Sequence, residues 1–173
     1  KVLNVYASHI DAVERDSVLV HELAHHAFEE RVGRPADPID EGLAELLPDW
    51  LLFSQAAGPE QHISTYPEYE ARCGRAARAG RAPTLPWLCS LDYWGFRDDR
   101  YDGLGFASSW ALMKTLVESR DPEISQRLQP LFTRLAGGQS VRDALEDVYG
   151  LEALEPRWQE RMRSWSDWEP NWG

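Results

Sequence analysis

The stretch His21-Glu22-Leu23-Ala24-His25 carries two histidines four positions apart, with a glutamate directly after the first. Residues four apart lie on the same face of an α-helix, so both imidazoles can reach a single metal ion. Glu22 lies beside that face, where its carboxylate can take a proton from a metal-bound water. The flanks favour a helix, because no glycine or proline occurs between Ala12 and Val32. The stretch predicts a metal-binding helix, or else an ordinary solvated helix rich in histidine and glutamate, and a third ligand decides between the two.

The candidate third ligand, Glu41, lies a short way downstream in the stretch Asp40-Glu41-Gly42-Leu43-Ala44-Glu45. Asp37 followed by Pro38 is typical of a helix start, with aspartate as the capping residue and proline at the first helical position. We therefore expect Glu41 in the first turn of a second helix. An exposed amphipathic helix would also carry glutamates, so Glu41 gains weight only together with the two histidines.

Glu45 lies one helical turn after Glu41 and points the same way. Its carboxylate could accept a hydrogen bond from the second ring nitrogen of His21 or His25 and so orient that ligand. The alternative is a glutamate on a solvated helix face.

Together these motifs resemble the gluzincin pattern, H-E-x-x-H followed by a helix with D/N-E-G-x-A. Thermolysin-like peptidases, the aminopeptidase N group and the uncharacterised bacterial peptidase-MA-like domains share this pattern, and the last group is the most similar. Three later segments also resemble that group, so the similarity extends from about residue 18 to residue 165: Phe106–Leu112, Leu135–Leu145 and Leu154–Trp158.

The resemblance implies a mainly α fold of the zincin-like (gluzincin) type, with an HExxH helix and a Glu-bearing second helix. It further implies one Zn²⁺ held by His21, His25 and Glu41. The implied activity is that of a zinc metallopeptidase, in which Glu22 serves as general base on a metal-activated water and the substrate is a peptide or protein.

The group that stabilises the oxyanion is less well defined, because the family pattern has tyrosine where this chain has Phe106. Tyr101, slightly earlier, is the expected substitute, with Tyr93 and His62 as weaker candidates. One alternative function is a catalytically impaired zinc-binding gluzincin domain that serves as a peptide or protein recognition module. Another is an all-helical interaction domain without metal.

Composition narrows the class of protein further. The 173 residues, 43% of them hydrophobic, suit a single domain over residues 1–173. The formal net charge of −11, from 29 acidic and 18 basic residues, argues against nucleic acid or an anionic membrane as partner. No apolar run is long enough to suggest a transmembrane segment. The chain begins at Lys1 rather than Met, as a processed protein or an excised domain would, and a soluble secreted or periplasmic location is compatible with this.

The remaining sequence predicts further helices and leaves three points open. Val2 to Ala7 could form a short strand, a remnant of a sheet, or only an arm. Cys73 and Cys89 could form one disulfide or remain two thiols, and the oligomeric state is open. The remaining expectations are a helical piece over 49–57 with Trp50, Leu51 and Phe53 mostly buried, a loop over 81–105, and helices over 67–79, 106–119, 122–135, 141–149 and 154–165.

Overall fold

The computed structural model describes residues 12–33, 37–53, 67–98 and 103–165, and all regular elements in these ranges are helical. The chain is therefore mainly α over its described part, and the strand expected at Val2 to Ala7 lies outside it. The elements are α1 (Ala12–Val32), α2 (Asp37–Pro48), a π-helical turn (Asp49–Phe53), α3 (Pro67–Arg78), α4 (Leu85–Leu88), α5 (Tyr93–Phe96), α6 (Leu104–Val117), α7 (Pro122–Ser125), α8 (Leu128–Ala136), α9 (Val141–Tyr149) and α10 (Leu151–Ser164).

Helix α6 forms the centre of the fold. Its residues from Ala107 to Leu116 are all buried, and a helix that is apolar on most of its circumference needs neighbours on every side. It packs most extensively on α2, and also on α3, α10 and the short helices around it. Helix α1 also packs on α2, and against α8. The two helices that carry the candidate metal ligands therefore lie side by side, and α2 is anchored to the core.

Gly42 explains why α2 and α6 approach so closely. A Cβ atom added at Gly42 would lie 2.3 Å from the carbonyl oxygen of Ser109 and 2.7 Å from Cγ of Met113. The first of these atoms belongs to the α6 backbone and cannot turn away as a side chain could. The glycine after Glu41 is therefore required by helix packing, whatever the chemistry of its neighbour.

Buried tryptophans join the C-terminal helices to this core. Trp110 and Trp158 are fully buried, and the rings of Trp110 and Trp165 lie 5.2 Å apart. Lys114 is also buried, with its ammonium 2.7 Å from Glu118 and 3.6 Å from Asp49 of the π-helical turn. These contacts connect α6 with α10 and with the end of α2.

The segment 81–105 is not the continuous loop that the sequence suggested. It contains α4 and α5, each started by a side chain that accepts a hydrogen bond from a free backbone N–H: Thr84 from Trp87, and Asp92 from Gly95. Helix α6 then begins at Leu104, directly after Gly103, whose φ of 67° favours glycine. Prolines and glycines here separate short helices instead of abolishing them.

The expected helix over 122–135 is divided, but Pro130 is not the cause. Pro130 is the third residue of α8, where a missing N–H costs no intrahelical hydrogen bond. The break falls at Arg127, whose backbone leaves helical geometry (φ −95°, ψ 4°). Its guanidinium donates a hydrogen bond of 2.9 Å to the carbonyl of Val148.

The side chains after α2 are more exposed than expected. Pro48 ends α2 and the chain continues as a single π-helical turn, in which Trp50 is 38% exposed and Leu51 is 51% exposed. The prediction that both are mostly buried is wrong, because helical periodicity read across the proline does not survive the change of helix type. The side chain of Phe53 lies outside the described part.

Two further points concern the cysteines and the membrane. Cys73, on α3, and Cys89, after α4, are free thiols, and burial raises the pKa of Cys73 to about 12 and that of Cys89 to about 11. Within the described ranges, no helix combines the length and the apolar character that crossing a bilayer requires.

Candidate metal centre

His21 and His25 of α1 meet Glu41 of α2 at the contact between the two helices. The Nε2 atoms of the two histidines lie 3.1 Å apart, and Nε2 of His25 lies 3.6 Å from Oε2 of Glu41. One ligand atom from each of the three residues lies within 4.8 Å of the other two. Both imidazoles are half-buried and Glu41 is buried, so the cluster is partly shielded from water but still reachable.

Two of the three spacings among these ligand atoms are close to those in a tetrahedral zinc site. With metal–ligand bonds of about 2.0–2.1 Å, two ligands of a tetrahedral zinc lie about 3.3–3.4 Å apart. The distances of 3.1 Å and 3.6 Å lie on either side of that value. Two nitrogens and one carboxylate oxygen are also a common set of three protein ligands in catalytic zinc sites.

Asp40 is a site residue to which sequence reasoning gave no role. Its Oδ1 lies 2.8 Å from Nδ1 of His25, and its side chain is buried. A carboxylate on the nitrogen that does not face the metal fixes the tautomer and orientation of the imidazole. The sequence showed only that Asp40 is an acidic residue directly before the expected ligand Glu41. Which histidine Asp40 contacts depends on how α1 packs on α2.

Glu45 approaches the other histidine. Its Oε1 lies 3.7 Å from Nδ1 of His21, longer than a hydrogen bond. Glu45 is buried at the same helix contact. Each histidine therefore has a carboxylate of α2 beside its Nδ1, at hydrogen-bond distance for His25 and somewhat further for His21.

The pKa values of the two imidazoles are shifted in opposite directions. Burial lowers the pKa of both, and for His21 the nearby His25 lowers it further. For His25 the hydrogen bond with Asp40 and the nearby carboxylate of Glu41 outweigh burial and raise the pKa to about 10. A protonated His25 can donate from Nδ1 to Asp40 and from Nε2 to the neutral His21. A divalent cation that takes this position must displace such a proton.

The structure describes the expected catalytic residues to different extents. Glu22 is exposed beside the cluster, and its charge acts on His21. Tyr101 and His62 lie outside the described residues, as does the side chain of Tyr93. Phe106 packs against Phe96 with ring centroids 5.4 Å apart.

Comparison of the chain with protein-family models, with curated proteins and with solved structures gives no match.

Proposed function

We propose that this chain is a zinc-dependent metallopeptidase with a gluzincin-type site, in which His21, His25 and Glu41 hold one Zn²⁺. The observation that carries the proposal is the convergence of three ligand atoms from two helices within 4.8 Å of one another. The exposed carboxylate of Glu22 lies on the same helix as both histidines. On an ordinary solvated helix, the histidines would face water and not a buried glutamate of a neighbouring helix.

In the proposed reaction, the chain's own residues position the ligands and move protons. Zinc, when bound, would act as a Lewis acid that lowers the pKa of a coordinated water towards about 7. Asp40 holds the His25 ring through Nδ1 so that Nε2 faces the centre. Glu22 accepts a proton from the attacking water and later donates it to the leaving amine of the peptide.

One observation favours a second candidate function, a zinc-binding domain with impaired catalysis that recognises peptides. Phe106 has no hydroxyl and is engaged in ring packing with Phe96, so it cannot donate a hydrogen bond to an oxyanion. Unless Tyr101 or another hydrogen-bond donor stabilises the oxyanion, the domain would still bind a peptide but would not hydrolyse it efficiently.

The substitution Glu22→Gln tests the peptidase proposal, because it retains the side-chain length but removes the base. We expect unchanged folding and zinc content, and a kcat lower by about 10²–10⁴ on any peptide that the wild-type chain cleaves. The assay follows unfolded protein chains and peptide libraries by mass spectrometry, with zinc content measured on the same samples. Glu30→Gln is the matched control, since Glu30 is also on α1, is exposed and pairs only with His26 at 3.6 Å among the described residues.

The outcomes separate the two candidate functions. Equal cleavage by the wild-type chain and Glu22→Gln would contradict the mechanism. A zinc-loaded wild type that binds peptides but cleaves none would support the recognition module instead. A chain that binds no zinc would exclude both.

A further inference from the structure

A second cleft lies away from the candidate metal centre. It has a volume of about 1000 Å³ and lies between the π-helical turn, the end of α6, α7 and α10. Among its lining residues are Trp50, Arg120, Ile124, Glu160 and Arg161. This volume is at the upper end of the range for small-molecule sites, about 300–1,000 Å³, and could hold a short peptide.

Some of the charged residues that line this cleft form ion pairs and others do not. Arg157 pairs with Asp121, and Arg161 pairs with Glu118. Arg120 and Glu160 line the same cleft, yet within the part of the chain that the structure describes neither forms an ion pair. Two opposite charges thus face one cleft without neutralising each other, and a ligand that carries both charges could engage both.

The lining also limits the class of ligand. With Arg157 and Arg161 each paired to a carboxylate, the charges left in the lining are one arginine, Arg120, and one glutamate, Glu160. One charge of each sign suits a zwitterion better than a doubly charged phosphate. Trp50 is 38% exposed beside Ile124, so the wall offers apolar surface to a side chain. The hydroxyls of Thr115 and Ser164 donate to the backbone carbonyls of Ala111 and Arg161, so towards a ligand they can only accept from an N–H group.

We propose that this cleft binds a short peptide with free termini. Arg120 pairs with the terminal carboxylate through its planar guanidinium. Glu160 accepts hydrogen bonds from the terminal ammonium, and an apolar side chain of the peptide packs on Trp50 and Ile124. The inference concerns the cleft alone and does not depend on zinc or on cleavage.

Isothermal titration calorimetry with the tripeptide Ala-Leu-Phe, its C-terminal amide and its N-acetylated form tests this proposal. We expect the wild-type chain to bind the free tripeptide at least about tenfold more tightly than the amide. Arg120→Gln should weaken binding of the tripeptide by a similar factor and leave binding of the amide unchanged. Glu160→Gln should remove the preference for the free amino terminus over the acetylated one. Arg163→Gln is the control, because Arg163 is exposed on the same helix as Glu160 and does not line the cleft.

Three results would overturn the proposal. These are equal affinities for the acid and the amide, an Arg120→Gln variant that binds like Arg163→Gln, and tighter binding of phenyl phosphate than of the tripeptide. Repeating the titration with Glu22→Gln, with the peptide checked by mass spectrometry, keeps cleavage out of the result. A failed peptidase assay with intact tripeptide binding would therefore reject the proposed activity and leave this inference standing.

Discussion

The carboxylates of Asp40 and Glu41 lie on two sides of His25, one near each ring nitrogen. The Asp40 contact, at 2.8 Å, is a hydrogen bond, whereas Glu41 lies at 3.6 Å from the other nitrogen. Two adjacent residues of α2 therefore make different contacts with the same imidazole. In the proposed site, Asp40 orients the ring and Glu41 is a metal ligand.

This difference predicts unequal effects of removing the carboxylates of Asp40 and Glu45. Asp40→Ala should weaken zinc affinity by about 10–100-fold, because the His25 ring loses the partner that orients it. Glu45→Ala should weaken it less, since its contact with His21 is 3.7 Å long. Competition with a chelator of known affinity measures both, with Glu30→Ala as the control. Wild-type affinity in Asp40→Ala would remove Asp40 from the site.

A second prediction concerns the two thiols, whose pKa values burial raises to about 12 for Cys73 and about 11 for Cys89. The thiolate is the reactive form, so at pH 8 Cys89 should react with iodoacetamide about 100-fold more slowly than an unfolded thiol. Because the pKa is raised, the rate should climb about tenfold per pH unit up to about pH 11. Mass spectrometry of labelled native and guanidinium-unfolded protein compares the two rates. Equal rates would mean that the thiols are reached from solvent.

At the scale of elements, the contact between α2 and α6 positions Glu41, the proposed metal ligand. Gly42 allows this contact because it presents no side chain to the α6 backbone. The same turn of α2 therefore carries the proposed ligand Glu41 and, at Gly42, a close contact with the α6 backbone.

Gly42→Ala should lower the free energy of unfolding by about 1–3 kcal/mol, the usual cost of overpacking. Helix propensity alone predicts the opposite sign, a gain of about 1 kcal/mol for alanine over glycine. Urea denaturation measures the difference, and zinc affinity should fall with it as α2 moves away from α6. A more stable variant would show that α2 shifts easily, and that the position of Glu41 is not set by this contact.

At the scale of the whole molecule, a bound metal would add to the packing of Phe28 and Val32 a further connection between α1 and the core. Helix α1 contacts mainly α2, whereas α2 is packed on α6. His21 and His25 lie on one side of this junction and Glu41 on the other, so zinc would link the outer helix to the centre.

Zinc should therefore raise the thermal stability of the chain. A free zinc concentration about 100 times the dissociation constant adds about 2.7 kcal/mol. At about 2–4 °C per kcal/mol for a chain of this length, the Tm should rise by about 5–11 °C. Differential scanning calorimetry with zinc and with a chelator measures this shift. His21→Ala should abolish it, and a shift that persists in that variant would place the metal elsewhere.

Much of the helical architecture could be predicted from sequence, because it follows from local signals. Gly33 after the histidine-bearing helix and Ser140 before Val141 are such signals, and the structure ends α1 at Val32 and begins α9 at Val141. The spacing of His21 and His25 on one helix face is equally local. Segment 81–105 was misjudged because its proline and glycine content obscured two side-chain caps, those of Thr84 and Asp92.

The sequence by itself determined which residues could bind a metal, because the helical repeat places His21 and His25 together whatever surrounds them. Only the tertiary structure decided that Glu41 meets them, that Asp40 and not Glu45 makes the short contact with a histidine, and that Trp50 is exposed. The physical reason is that these facts depend on the distance and rotation between α1, α2 and α6. Those quantities are set by contacts such as Gly42 on Ser109, between residues far apart in the chain.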